Sequence, residues 1–207
     1  MLKILGRASS INVRKVLWVC DELDIAFHRE DWGDGFKSPK EAAFKRLNPN
    51  ALIPVIQEGD FIMWESNAII RYLANAWGGG WLYPEDPRAR APVDQWIDWQ
   101  ATELNTSWRY AFMSLVRHSP AHQDPRLLAA ACKGWSHTMG ILNTQLESTG
   151  GYVAGSAFSL ADIPVGLSVN RWYETPLDHP DLPAVRAYYE RLTERKGYAT
   201  WGRNGTP

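Results

Sequence analysis

Two hydroxyl groups and a side-chain amide stand close together in the sequence, at Ser9, Ser10 and Asn12. A short apolar run, Leu2 to Leu5, precedes them, and apolar residues at helical spacing follow from Val13. The first turn of a helix exposes unpaired N–H groups and partial positive charge, so it stabilises an anion such as a thiolate. These residues could therefore bind an anion. Capping of the helix by one of their side chains is the simpler alternative.

A proline at the start of a predicted strand, Pro54, is the second feature with a chemical use. It ends the segment Asn48–Pro54, and proline is tolerated at the first residue of a strand. A cis bond between Ile53 and Pro54 would leave the backbone N–H and C=O of Ile53 open to a ligand. An ordinary trans bond is the alternative, and general frequencies favour it, since only about 5–6% of X–Pro bonds are cis.

The segment Trp64-Glu65-Ser66-Asn67 opens a further predicted helix. Ser66 can offer its hydroxyl and its backbone N–H to a carboxylate, and Glu65 can accept hydrogen bonds from an ammonium group. Together they would bind the zwitterionic end of an amino acid. The alternative is that either residue acts only as a helix cap.

Strands and helices alternate in the chain up to Gly78–Gly80, and these elements must position the three segments. The predicted order is βαβαββα, a compact α/β unit of about 80 residues. Its strands are predicted at Leu2–Leu5, Ala26–Trp32, Pro54–Gln57 and Phe61–Trp64, and its helices from Val13, from Ser38 and over Glu65–Trp77.

Two of these helices carry expectations for particular side chains. In the first helix, Arg14 and Lys15 are expected on the polar face with Asp21 and Glu22, opposite an apolar stripe that includes Cys20. Free cysteine is often buried, so Cys20 is expected in the core. Ser38 is expected to cap the second helix, with Glu41 closing a capping box.

Beyond the glycines the strand signals end, and the remainder is predicted to be all-α. Helices are predicted over Arg88–His118, Arg126–Glu147, from a capping box at Ser159–Asp162, and over Leu182–Thr193. The predicted domains are therefore residues 1–78 and 88–207, joined by a linker over 79–87.

Composition excludes several functional classes. The 207 residues carry a formal net charge of −1, which argues against a nucleic-acid binder, and no apolar stretch approaches the roughly 18 residues of a membrane span. Two cysteines fit a reducing compartment, so a cytoplasmic protein is expected. The five histidines show no spacing of a metal site or a catalytic triad, so no metal is expected. The 11 tryptophans indicate large apolar surfaces in a core, interface or ligand cleft.

Taken in order, these segments resemble the glutathione S-transferase family, with bacterial serine- or asparagine-type, theta- or nu-like members the most similar. The similarity runs through Ser9–Val16, Asn48–Pro54, Trp64–Ile69 and Ser159–Asp162. The resemblance implies a thioredoxin-like α/β domain that binds glutathione as cosubstrate, followed by an all-α domain that contributes the electrophile site. It also implies a homodimer.

The resemblance implies roles for individual residues. Ser10 or Asn12 would donate a hydrogen bond to the glutathione sulfur, and the two remain open alternatives, with Ser9 a weaker one. Ile53, beside a cis Pro54, would bind the cysteinyl backbone, and Glu65 and Ser66 the γ-glutamyl end. Many serine-type members have a basic residue for the glycyl carboxylate where this chain has Ala51. Lys40 or Lys37 could take that role, and a solvated lysine is the alternative for each.

The implied activity is transfer of glutathione to hydrophobic electrophiles, with peroxidase or disulfide reductase activity on the same site. The alternatives are a non-catalytic glutathione-binding scaffold, or a glutathione-dependent isomerase or dehalogenase. Electrophile-site candidates recur at helical spacing: Trp108, Arg109, Phe112, Met113 and Val116. Core or dimer surface is the alternative for this helix face. Trp32 and Trp201 are further pocket candidates.

Overall fold

A four-stranded sheet in the order β2-β1-β3-β4 forms the centre of the N-terminal domain. The computed structural model describes residues 1–207, and its strands are β1 (Leu2–Leu5), β2 (Phe27–Glu30), β3 (Val55–Glu58) and β4 (Phe61–Trp64). β1 runs parallel to β2 and antiparallel to β3, which forms a hairpin with β4. The predicted βαβαββα order and thioredoxin-like fold are confirmed.

The helices of this domain are α1 (Ile11–Glu22), α2 (Ala42–Lys45) and α3 (Ser66–Ala76). α2 begins later than predicted. The Ser38 hydroxyl accepts a hydrogen bond from the Lys40 N–H at 3.2 Å, and the Ser38 N–H donates to Glu41 Oε1 at 3.3 Å. These contacts close a turn and start no helix, because the backbone of Glu41 is extended (φ −61°, ψ 144°). The prediction that Ser38 caps a helix is therefore wrong.

The rest of the chain is helical, as predicted. Its helices are α4 (Pro87–Trp99), α5 (Asn105–Leu115), α6 (Pro125–Thr149), α7 (Asp162–Glu174), α8 (Pro183–Leu192) and α9 (Lys196–Trp201). The long helix predicted from Arg88 is α4 and α5, joined without a break by a π-helical turn over Gln100–Leu104. Sequence reasoning missed α9.

α1 is buried on both of its faces. One face packs on α3, and the other on α7 and α9. Arg14 and Lys15 are consequently buried, with exposures of 0% and 2%, so the expectation of a solvent-facing polar side is wrong for both. Cys20 lies in the core as predicted, and burial raises the pKa of its thiol to about 12. Helices α7 and α9 of the all-α domain thus cover the face of α1 that would otherwise be exposed to solvent.

Both buried cations donate hydrogen bonds, although Arg14 Nε has no partner. Arg14 donates to the backbone carbonyls of Trp201 at 3.2 Å and Thr206 at 2.8 Å, which fastens the C-terminal segment onto α1. Lys15 Nζ donates to Asn67 Oδ1 at 2.9 Å and to Gln100 Oε1 at 3.2 Å. Because Asn67 belongs to α3 and Gln100 to the π-helical turn, Lys15 joins the two domains.

A buried carboxylate organises the start of α7. Asp162 accepts hydrogen bonds from the Ser159 N–H at 2.8 Å, the Ser159 hydroxyl at 3.0 Å and the Tyr188 hydroxyl at 2.9 Å. The contact between Ser159 and Asp162 is the one that the capping-box spacing predicts, although α7 itself begins at Asp162. Burial raises the pKa of Asp162 to about 6 despite these donors.

Two further properties bear on function. No helix is both long enough and apolar enough to cross a membrane. No three histidine, cysteine, aspartate or glutamate side chains are grouped as a metal site would require.

Candidate functional site

The N-terminus of α1 lies at the centre of the candidate site. The loop from β1 passes closely between Val13 and Ile53, where a Cβ on Gly6 would lie 2.5 Å from Val13 Cγ2. Ser10 then takes an extended conformation (φ −79°, ψ 125°) and precedes the helix, but its side chain makes no capping hydrogen bond. The capping alternative is therefore wrong for Ser10, whose hydroxyl is not used by the helix.

Ser10 and Asn12 line two different cavities. The Ser10 cavity, of about 400 Å³, contains Ser9 and Ser10 and lies between the two domains. The Asn12 cavity, of about 50 Å³, contains Asn12 and residues of the two other sequence motifs. Ser10 precedes α1 with an extended backbone, whereas Asn12 lies in the first turn of the helix, which explains why the two side chains face different cavities.

The Asn12 cavity brings together four of the predicted glutathione-binding residues. Its lining residues are Asn12, Asn48, Leu52, Ile53, Pro54, Glu65 and Ser66. The Ile53–Pro54 peptide bond is cis, as the resemblance implies. Asn48 holds the preceding loop: its Nδ2 donates to the Leu52 carbonyl at 2.8 Å, and its Oδ1 accepts from the Asn50 N–H at 3.0 Å.

Glu65 and Ser66 meet this cavity at the start of α3. Glu65 has a positive φ of 72°, a conformation that costs about 1–3 kcal/mol for a residue other than glycine and is found at ligand sites. Its side chain is exposed and makes no capping hydrogen bond, whereas Ser66 is buried at 7% exposure. The carboxylate of Glu65 and the first N–H groups of α3 are therefore available to a ligand.

Lys15 lies beneath this part of the site. Burial lowers the pKa of Lys15 to about 7, and the nearby positive charge of Arg171 lowers it further, while Glu65 raises it. Glu65 lines the Asn12 cavity and Arg171 the Ser10 cavity, so one residue of each cavity influences the pKa of Lys15.

The Ser10 cavity contains four of the five electrophile-site candidates on this helix face. Its lining residues are Arg7, Ser9, Ser10, Ile11, Trp108, Arg109, Phe112, Met113, Arg117, His122 and Arg171. Trp108, Arg109, Phe112 and Met113 lie together here as their helical spacing predicts. Val116 is half-buried outside the cavity.

Sequence reasoning missed four basic residues of the Ser10 cavity: Arg7, Arg117, His122 and Arg171. Arg117 follows Arg109 by eight positions, so helical spacing could have placed both on one face. Nothing in the sequence distinguishes Arg171 from a surface arginine, because only the packing of α7 brings it to the cavity.

Arg171 is held between two aromatic rings. Its guanidinium lies 4.4 Å from the ring centroid of Trp108 and 4.2 Å from that of Phe112. Burial lowers the pKa of Arg171 to about 9, and the neighbouring positive charges of Arg14 and Arg117 add to the effect. The side chain is thus still protonated at neutral pH.

A third cavity, the Lys40 cavity of about 390 Å³, lies beside the loop after β2. Its lining residues are Gly33, Asp34, Gly35, Phe36, Ser38, Pro39, Lys40 and Ala51. Lys37, the other candidate for the glycyl carboxylate, lies elsewhere, with Nζ 3.8 Å from Glu30 Oε2 and 5.3 Å from the Trp32 ring. Of the two candidate lysines, Lys40 is the one beside a cavity.

Neither Trp32 nor Trp201 lines these cavities, so both pocket expectations are wrong. Trp32 is buried, and its ring lies 4.9 Å from that of Phe44. The Trp201 indole N–H donates to Asp21 Oδ2 at 2.7 Å, which fixes α9 against α1. Both side chains support the fold.

Comparison with known proteins decides the family. The family model "Glutathione S-transferase, N-terminal domain" matches residues 9–76. Glutathione S-transferase GstB of Escherichia coli K12 is 33% identical over 197 residues, 94% of each chain. The chain belongs to the glutathione S-transferase family. Among solved structures, a theta-class glutathione S-transferase from Xanthomonas axonopodis pv. citri with glutathione bound is similar to this transferase, with a TM-score of 0.90 and 36% identity.

That alignment covers 97% of this transferase and 96% of the Xanthomonas chain. Human glutathione S-transferase theta-1 is 32% identical over 165 residues, 77% of this chain and 63% of its own. The family and the two-domain fold expected from the sequence are confirmed. The theta-like character is consistent with these names.

Proposed function

We propose that this transferase activates the thiol of glutathione as a thiolate, which attacks an electrophile held in the Ser10 cavity. The observation that carries the proposal is the arrangement at the start of α1. The Ser10 hydroxyl makes no capping hydrogen bond, and Ser10 and Asn12, two residues apart in the chain, each line one of the two cavities. The thiolate would therefore lie at the helix N-terminus, between the glutathione-binding motifs and the aromatic wall.

Thiolate activation has a defined energetic requirement. A free thiol has a pKa of about 8.5, so only a few per cent is ionised at neutral pH. Lowering that pKa by about two units corresponds to ~2.7 kcal/mol. Two hydrogen bonds to a charged acceptor supply this amount, and the partial positive charge of the helix N-terminus contributes to it. Ser10 and Asn12 act as donors to the sulfur, and neither is a nucleophile.

Glutathione recognition is assigned to the residues around the Asn12 cavity. The Ile53 backbone, beside cis-Pro54, pairs with the cysteinyl backbone. Ser66 binds the γ-glutamyl carboxylate and Glu65 its ammonium, which suits a carboxylate side chain and an adjacent helix N-terminus. Lys40, beside its own cavity, is assigned to the glycyl carboxylate.

The electrophile is assigned to the wall opposite Ser10. Trp108, Phe112 and Met113 provide apolar surface, and Arg109 stands beside them on the same helix face. The thiolate forms the new carbon–sulfur bond at the electrophilic carbon, the leaving group departs with its electron pair, and the thiol proton passes to solvent. No oxidation or reduction takes place in this step.

The test measures binding and thiol ionisation in turn. The purified protein is expected to be retained on immobilised glutathione, and ultraviolet titration should give bound glutathione a thiol pKa about two units below that of the free tripeptide. Ser66→Ala should weaken glutathione affinity by about tenfold, since a hydrogen bond to a charged group is lost.

Ser148→Ala, which removes an exposed hydroxyl on α6, is the matched control and should bind as the wild type does. A bound thiol that titrates as it does in water would contradict the proposed activation. Equal affinity of the Ser66→Ala variant would contradict the assignment of Ser66.

We also propose that the protein works in the cytoplasm as a homodimer. β4 is an edge strand whose Phe61, Ile62 and Trp64 side chains are exposed, and apolar surface of this kind commonly marks an interface. Both cysteines are unpaired, which suits a reducing compartment. Sedimentation equilibrium should give twice the chain mass, and a monomer at micromolar concentration would contradict the dimer.

A further inference from the structure

The side chains that line the Ser10 cavity include more positive than negative charges. Four arginines and one histidine line it, and no aspartate or glutamate does. The whole chain, by contrast, has 22 basic and 23 acidic residues. The excess is therefore local to the cavity in which the proposed reaction takes place.

Three of the four arginines have no acidic partner, and two of these three, Arg109 and Arg117, are exposed. Arg109 and Arg117 take part in none of the ion pairs of the molecule. Arg7 has only an exposed partner, Asp34, whose carboxylate lies 3.7 Å from Arg7 Nη1. Arg71, at the contact between α3 and α4, is paired by contrast, with Nε 2.7 Å from Asp94 Oδ1.

Arg171 closes the cavity with a further buried charge. It is 4% exposed, its Nε has no hydrogen-bond partner, and its Nη2 reaches only the Pro207 carbonyl at 3.4 Å. The positive charges of Arg14 and Arg117 repel it. A buried cation with unsatisfied donors and like-charged neighbours is stabilised by an anion.

The apolar lining restricts the shape of that anion. Trp108, Phe112 and Met113 offer surface for a ring or a short alkyl chain, while the arginine forks fit the two oxygens of a carboxylate. We propose that the second substrate is an electrophile that carries a carboxylate, bound by Arg109 and Arg117 with its apolar body against Trp108 and Phe112. This inference rests on the proposed function, since it names the substrate class of the same site.

A matched pair of substrates separates charge from shape. 4-Chloro-3,5-dinitrobenzoate and its methyl ester share the ring and the chloride leaving group, and differ in charge. In each, the glutathione sulfur bonds to the ring carbon, chloride leaves with its electron pair, and the thiol proton goes to buffer. The quantity compared is kcat/KM divided by the rate constant of the uncatalysed reaction, because the ester ring is intrinsically more reactive.

The wild type is expected to prefer the carboxylate over the ester. Arg117→Gln and Arg109→Gln should each lower the ratio of the two normalised kcat/KM values, carboxylate over ester, by about tenfold, because each change removes a charge that binds the carboxylate. Arg126→Gln, an exposed arginine on α6 outside the cavity, is the matched control and should change neither. Arg117→Lys should restore part of the preference.

A second measurement needs no turnover. 3,5-Dinitrobenzoate lacks the leaving group, and its binding can be followed by quenching of tryptophan fluorescence, since Trp108 lines the cavity. Its Kd should rise about tenfold in Arg117→Gln, while that of methyl 3,5-dinitrobenzoate should not change.

Three results would overturn the inference. The first is a wild type that prefers the ester or binds the ester analogue more tightly. The second is an equal loss for both substrates in the arginine variants. The third is a raised KM for glutathione in these variants, which would assign the arginines to a glutathione carboxylate. Failure of the proposed function is distinguishable, because then bound glutathione would keep an unshifted thiol pKa whichever dinitrobenzoate binds.

Discussion

The two cavities beside the N-terminus of α1 differ in size and in the groups that line them. The Asn12 cavity is small, comes from the N-terminal domain alone, and offers backbone groups, a helix start and short polar side chains. The Ser10 cavity is about eight times larger by volume (about 400 against about 50 Å³), combines both domains, and is lined by long basic and aromatic side chains.

The difference in lining indicates that the two cavities suit different kinds of ligand. Backbone groups in a fixed loop suit a ligand that never changes, because their positions are set by the fold. Long side chains on α5 and α7 suit a ligand that differs between proteins, since one substitution changes charge or shape without moving the backbone. This division agrees with the proposal that glutathione binds in the first cavity and the electrophile in the second.

The largest expected effect concerns the two donors at the junction of the cavities. Ser10→Ala and Asn12→Ala should each raise the pKa of bound glutathione by about one to two units, because the thiolate loses a hydrogen bond. At a pH below the wild-type thiol pKa, kcat/KM should fall by about ten- to a hundredfold. It should approach the wild-type value at high pH, where the thiol is ionised in every variant.

The pH–rate profiles of these variants also show which of the two donors, Ser10 in one cavity or Asn12 in the other, lowers the thiol pKa more. The variant with the larger shift identifies the cavity from which the sulfur is held. Ser148→Ala serves as the control. Profiles that match the wild type in both variants would remove Ser10 and Asn12 from the mechanism.

A second prediction concerns Lys15, which lies between the cavities. Its pKa of about 7 in the folded protein is below the ordinary 10.5, so the unfolded chain binds more protons between these values. The free energy of unfolding should therefore rise with pH in this window, and Lys15 should contribute about 1–2 kcal/mol between pH 7 and 8.5. Urea unfolding of Lys15→Met should lack this rise.

Lys133→Met, an exposed lysine on α6, is the control and should keep the wild-type pH dependence. Identical slopes for the wild type and Lys15→Met would mean that Lys15 keeps an ordinary pKa. The lysine would then not respond to either cavity.

The smallest expected effect tests how separate the cavities are. Phe112→Leu removes one of the two rings that enclose Arg171 but keeps an apolar side chain. The KM for the electrophile should rise by about two- to fivefold, since a cation–π contact is worth roughly 0.5–1 kcal/mol. The Kd of glutathione, measured by calorimetry, should not change. An equal rise in the KM for the electrophile and the Kd of glutathione would show that a change in the Ser10 cavity also weakens glutathione binding.

Sequence reasoning succeeded where the determinants are local. Glu65 and Ser66 follow from the start of a helix, and the hairpin of β3 and β4 follows from two apolar runs around Gly59-Asp60. These features depend on a few neighbouring residues, so they can be recognised without knowing the tertiary packing. The helix face of Trp108 and Phe112 was likewise correct.

Sequence reasoning failed where one domain covers the other. Arg14 and Lys15 have the charge of surface residues, and only contact with α7, α9 and the π-helical turn buries them. Arg171 reaches the cavity for the same reason. The motif also did not predict that Ser10 and Asn12 line different cavities, because the order of residues in a segment does not give the direction of each side chain.

The π-helical turn between α4 and α5 keeps the rotational phase of the wall around the proposed electrophile site. Its i→i+5 hydrogen bonds accommodate one residue more than an α-helical turn. Deleting one residue there would restore an ordinary α-helical turn, so Trp108, Phe112 and Arg109 would still face the Ser10 cavity. Deleting one residue from the regular part of α5 before Trp108 would instead rotate these side chains by about 100° about the helix axis, away from Ser10. The loss of one codon would thus be absorbed at the π-helical turn and would replace the electrophile-facing surface a few residues later.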